Sequence, residues 1–118
     1  VAEVYFTTFY VDALIQRLGG RAAPAVAIVA MLDERQRQDD QWGGPARDDE
    51  QRRVLDWLNL IQRQIRLAHM EGVDQDGHAD DAGGYFDVAR VKERLTKIAA
   101  LALAGLESID RKHARGEL

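Results

Sequence analysis

The chain has 118 residues, enough for one domain, and its 46% apolar and 31% charged content is that of a globular protein. Sixteen Lys and Arg against twenty Asp and Glu leave a net charge of −4, which argues against a general nucleic-acid binder. The absence of Cys removes disulfides, thiolate metal sites and cysteine nucleophiles.

The longest nearly apolar run covers 22 to 32, contains Pro24, and falls short of the ~18 residues a membrane span needs. Glu3 and the lack of a basic lead-in argue against a secretory signal, so the expectation is a cytoplasmic protein without a membrane partner.

Taken in chain order, Val4, Val11, Leu14, Ile15 and Leu18 keep helical spacing and predict a helix from about Thr7 to the stop at Gly19-Gly20. Pro24 suits the first turn of a second helix, where Val26, Val29 and Leu32 form an apolar stripe. From Asp33 this helix turns wholly polar, and Trp42-Gly43-Gly44-Pro45 ends it. An apolar first half and a charged second half predict a rod whose charged end projects from the core or docks on a partner. Asp48-Asp49-Glu50 announce a third helix, favoured at its N-terminus by acids. Its stripe is Val54, Leu58, Ile61, Ile65 and Ala68.

A loop from Glu71 to Asp87 carries six acids and no Lys or Arg. Asp87 then reads as the N-cap of a last helix, with Phe86 and Val91 as a hydrophobic staple. Val88, Val91, Leu95, Ile98, Ala102, Gly105 and Ile109 recur at heptad-like spacing. The span Val88 to Lys112 is ~37 Å at 1.5 Å per residue. Small residues around Ala100, Ala104 and Gly105 invite close approach by another helix. Arg111, Lys112 and Arg115 complement its C-terminal dipole, and Gly116 suits a stop.

The pattern predicts a single all-α domain over 1–118, a four-helix up-and-down bundle with core 24–118 and an N-terminal extension 1–23. So long an apolar last helix has more to cover than one small chain supplies. That predicts a homodimer built on the helix's second half.

Several chemistries fail on spacing. Asp74, Asp76, His78 and Asp80 alternate as early calcium ligands do, but Ala79 stands where the loop needs Gly and Tyr85 where it needs Glu. His69, His78 and His113 lack the spacing of a helical zinc pair. Ser108, the only serine, falls inside a helix, which sets serine hydrolysis aside. Residues 33 to 43 are the most distinctive. Either Trp42 folds back as a plug on a solvated helix end, or Glu34, Gln38 and Asp39 face a site roofed by Trp42. Asp48, Asp49 and Asp56 would join such a site.

Glu34-Arg35-Gln36-Arg37-Gln38-Asp39 leading to Trp42-Gly43, then Asp48-Asp49, then Asp56-Trp57, and an Ala-rich last helix running into Glu107-Ser108-Ile109-Asp110-Arg111 together resemble the phage and prophage branch of the MazG-like nucleoside triphosphate pyrophosphohydrolases. The similarity covers roughly 28 to 113. It implies an all-α dimer or dimer of dimers that splits nucleoside triphosphates with Mg²⁺ held by carboxylates on two helices. Here the corresponding positions hold Gln62, Arg63 and Arg66, then Arg94 and Lys97. Arginine stays protonated in proteins, so these positions cannot supply carboxylates to a metal.

Three readings follow. Arg63, Arg66, Arg94 and Lys97, with Trp42, bind a nucleotide phosphate without a catalytic residue or cofactor, guanidinium forks suiting phosphate oxygens. Alternatively, these cations are solvated helix flanks on a phage-type module that binds a host protein. In the third, Glu34, Asp39, Asp48, Asp49 and Asp56 hold Mg²⁺ for an atypical hydrolase.

Overall fold

A computed structural model of the chain describes residues 12–13, 15–71 and 87–118. Among the described residues every regular element is helical and there is no strand. Residues 12–13 and 15–17 are helical and lead into a turn at Leu18–Gly20, where Gly19 and Gly20 take φ of +67° and +80°. The expected start of that helix near Thr7 lies outside the described residues, as do the loop after Gly72 with its calcium pattern and the Phe86 half of the staple.

Four complete helices follow: α1 Ala22–Trp42, α2 Pro45–Gln51, α3 Val54–Glu71 and α4 Val88–Ala114. The end of α1 is set by Gly43, whose φ of +96° only glycine adopts cheaply and whose N–H donates to the Asp39 carbonyl at 3.0 Å. A Cβ on Gly43 would also stand 2.6 Å from Arg47 Cδ.

The third predicted helix is in fact two. Asp48, Asp49 and Glu50 lie in the short α2, which Pro45 begins, and not at the start of α3. Arg52 is extended (φ −117°, ψ 127°) and breaks the rod. Its guanidinium lies over Trp42 at 5.1 Å and Trp57 at 5.4 Å from the ring centroids, and Lys112 Nζ donates to its carbonyl. Those contacts hold the kink. Asp56 then secures the start of α3 by accepting from the Arg53 N–H at 2.7 Å.

Helix α4 spans about 40 Å and is the element on which α1, α2 and α3 all pack. Its N-cap is Asp87, as expected, accepting from the Arg90 N–H at 3.2 Å. Among the described helices, α1 and α3 do not pack on each other, so they flank α4 as two walls and close no ring. The core is compact: Trp57, Leu101 and Ala104 are buried, with Trp42, Leu60 and Ile61 packed against them. Gly105 lets α3 approach, since a Cβ there would meet Trp57 Cγ at 3.2 Å. The small-residue stripe of α4 is therefore used inside the chain.

Helix α1 reverses one expectation. Its charged half does not project: Arg35 and Gln38 are buried there, whereas Val26 and Leu32 in the apolar half are exposed. The physical reason is pairing, because Arg35 finds Asp39 on its own helix and Glu107 across on α4 at 3.0 Å. No helix among the described residues is long and apolar enough to cross a membrane.

A cationic cleft between three helices

Because α1 and α3 stand apart on α4, a cleft of about 560 Å³ opens between them. The α1 wall carries Glu34, Arg37, Gln38, Gln41 and Trp42, which recur at steps of three, four and seven and so share one helical face. Arg63, Gln64 and Leu67 come from α3, and Arg94, Lys97 and Leu101 from α4. Four cations and one carboxylate thus line a single cleft in a chain whose net charge is −4. Such concentration against the overall charge makes a local trap for anions.

The cations are held to different degrees. Arg37 is clamped by Glu34 at 2.6 and 2.8 Å and donates to Gln41 at 2.8 Å. That clamp lowers the Glu34 carboxyl below its ordinary range and raises the Arg37 guanidinium. Arg94 donates to Gln64 Oε1 at 2.8 Å, and Lys97 lies 3.3 Å from Glu93, an exposed residue outside the cleft. Arg63 makes no hydrogen bond or ion pair with another described residue. Its guanidinium fork is the one offered most openly to a ligand.

Gln38 adds a second irregularity. It is 2% exposed, its Nε2 reaches Glu34 at 3.3 Å, and its Oε1 has no partner among the described residues. Arg35 Nε is likewise buried without a partner. Each such atom costs about 1–3 kcal/mol relative to a satisfied one.

Sequence reasoning singled out Arg63, Arg94, Lys97 and Trp42 together, and the structure brings these four to the same cleft. Arg66 is not among them: three residues on from Arg63, about 60° around α3, it is exposed and does not line the cleft. Arg37, Gln41 and Gln64 were not singled out beforehand. Their signal was present, since a polar stripe at helical spacing marks a shared face as surely as an apolar one.

The carboxylates proposed as metal ligands are dispersed. Glu34 faces the cleft with Arg37, while Asp39 turns to Arg35. Asp48 is buried between Arg52 Nε at 3.4 Å and Arg35 at 4.0 Å. Burial pushes its carboxyl up against the pull of those arginines. Asp49 accepts from Ser108 Oγ at 2.6 Å, twice from Arg111 at 2.8 Å, and from Arg115 at 3.2 Å. The Arg111 bonds, with Ser108 and Arg115 behind them, hold its carboxyl far below the usual range. Asp56 is spent at the start of α3. Among the described residues no group of three or more His, Asp or Glu is placed to hold a metal ion.

The chemistry of the cleft is therefore anion recognition by guanidinium, ammonium and amide donors, beneath an indole. A donor set of guanidinium and ammonium groups does not fit a divalent cation, since cations repel it. No family model, no curated protein and no solved structure matches this chain.

Proposed function

We propose that this protein is a MazG-like helical protein that binds the phosphate of a nucleotide and does not hydrolyse it. The observation that carries the reading is the convergence of Arg63 from α3 with Arg94 and Lys97 from α4 in one cleft. In this account fixed positive charge takes the place of the metal. Arg63 and Arg94 grip phosphate oxygens through paired N–H donors, and Lys97 adds a point charge. Trp42 and Arg37 close the α1 side, the indole being anchored there by the core and by the Arg52 guanidinium over its ring. The one carboxylate among the described cleft residues, Glu34, is held by Arg37, so the cleft offers the bound ester donors and no free base.

A thermal-shift series with nucleoside mono- and triphosphates, with and without Mg²⁺, tests the reading. The expected result is a rise in melting temperature that needs no Mg²⁺ and disappears in Arg63→Ala. Pyrophosphate release that depends on Mg²⁺ would favour the atypical hydrolase instead. A chain that ignores nucleotides and retains a protein partner would favour the interaction module.

A further inference from the structure

We infer that the cleft takes its ligand ring first: Gln38 Oε1 accepts an N–H from an uncharged ring at the cleft floor, and the cations hold the phosphate at the rim. The inference rests on the phosphate-binding reading and names what the other end of the ligand must be.

The cleft changes character with depth. Two of its lining residues are buried outright, Gln38 from α1 at 2% exposure and Leu101 from α4 at 1%, and they form its floor. At the rim, Arg63 is exposed and Arg37 keeps 52% of its side chain in solvent. An uncharged floor thus lies beneath a cationic rim.

The Gln38 amide is oriented by its neighbour. Glu34 stands one turn back on the same helical face, and its carboxylate only accepts, so the amide turns Nε2 toward it at 3.3 Å. Oε1 is left over, and no described residue donates to it. Arg35 Nε is also buried and unpaired, but Arg35 pairs with Asp39 and Glu107 and does not line the cleft. A buried acceptor without a donor is costly, and for the same reason it discriminates sharply among ligands. Ionised phosphate oxygens also only accept. A phosphate at the floor would set acceptor against acceptor, beside the apolar Leu101 side chain. A flat ring with an N–H on its edge suits both neighbours: the ring buries against Leu101 and the N–H completes Oε1. Nucleobases have that form. The cleft, at about 560 Å³, falls within the roughly 300–1,000 Å³ of small-molecule sites.

Calorimetric titration with a metal chelator present tests this, with ribose 5-phosphate, AMP, CMP, GMP and UMP as probes. The parent chain is expected to bind at least one of these nucleotides about tenfold or more tighter than ribose 5-phosphate. In Gln38→Met, which keeps the side-chain length and removes the acceptor, that ratio is expected to fall toward one. Circular dichroism checks that the variant folds, and a second reading needs no variant. Purine riboside 5′-phosphate, whose ring carries no N–H, is expected to bind the parent chain no better than ribose 5-phosphate. A preference that survives in folded Gln38→Met would overturn the inference and leave phosphate binding standing. So would equal affinity for ribose 5-phosphate and every nucleotide, or purine riboside 5′-phosphate binding as tightly as the best of them. If no probe binds at all, the phosphate-binding reading itself falls and takes this inference with it.

Discussion

The two sides of the α3–α4 pair are built on different physics. Toward α1 the pair presents Arg63, Arg94 and Lys97 across a cleft; away from α1 it presents Ile65, Leu95 and an apolar groove. Residues one or two positions apart in sequence, such as Arg94 and Leu95, serve opposite sides. The lesson is that a helix face is the unit of function here, and composition averaged along the segment conceals it. Substitutions that touch one side should leave the other unchanged, and substitutions in the shared middle should damage both.

The largest effect is expected in that middle. Trp57 is buried against Leu101, Ala104 and Gly105, so Trp57→Ala should lower unfolding free energy by about 3–5 kcal/mol in denaturant titration. Gly105→Leu, which drives a side chain into the Trp57 ring, should cost about 1–3 kcal/mol by the same measurement.

Next comes the polar pin at the far end of α4. Asp49→Asn leaves Arg111 and Arg115 without their carboxylate and should cost about 2 kcal/mol. The pH dependence follows from direction. A carboxyl depressed in the folded state contributes stability above its unfolded pKa and loses it as pH falls toward the folded value. The parent chain should therefore weaken in acid below about pH 4, and Asp49→Asn should flatten that limb. Its neighbour Asp48 works with the opposite sign: raised by burial, it contributes below its unfolded pKa and loses that contribution as pH rises through the folded value. Asp48→Asn should accordingly cost less at neutral pH than Asp49→Asn, and the pair of melting curves against pH checks this.

The smallest effect on stability belongs to the cleft. Arg63→Ala should change unfolding free energy by no more than about 0.5 kcal/mol, since the side chain is exposed and pairs with no described residue. It should nonetheless weaken nucleotide binding about tenfold or more.

Much of this was legible in the chain, and the failures are instructive. The last helix, its Asp87 cap and its basic end could be read because caps and termini are local chemistry. The Gly43 stop was readable for the same reason. The break at Arg52 was not, because it depends on two tryptophans from different helices stacking on one guanidinium. Nor was the burial of Arg35, whose partner Glu107 lies 72 residues away. In the cleft, Arg63, Arg94 and Lys97 were reachable through the family resemblance, whereas Arg37 was marked only by the polar stripe it shares with Glu34 and Gln41, a pattern that solvated helix faces also carry. Arg66 shows the reverse error. It stands three residues from Arg63, only about 60° around the helix at 100° per residue, yet it is exposed and does not line the cleft, so motif spacing alone did not decide membership.

The most direct test of the cleft is a calorimetric titration of the chain with a nucleoside triphosphate in the presence of a metal chelator. Binding that persists without divalent cations, is lost in Arg63→Ala and yields no pyrophosphate is the result expected. Binding or turnover that appears only when magnesium is restored would contradict the claim that fixed positive charge has taken the metal's place.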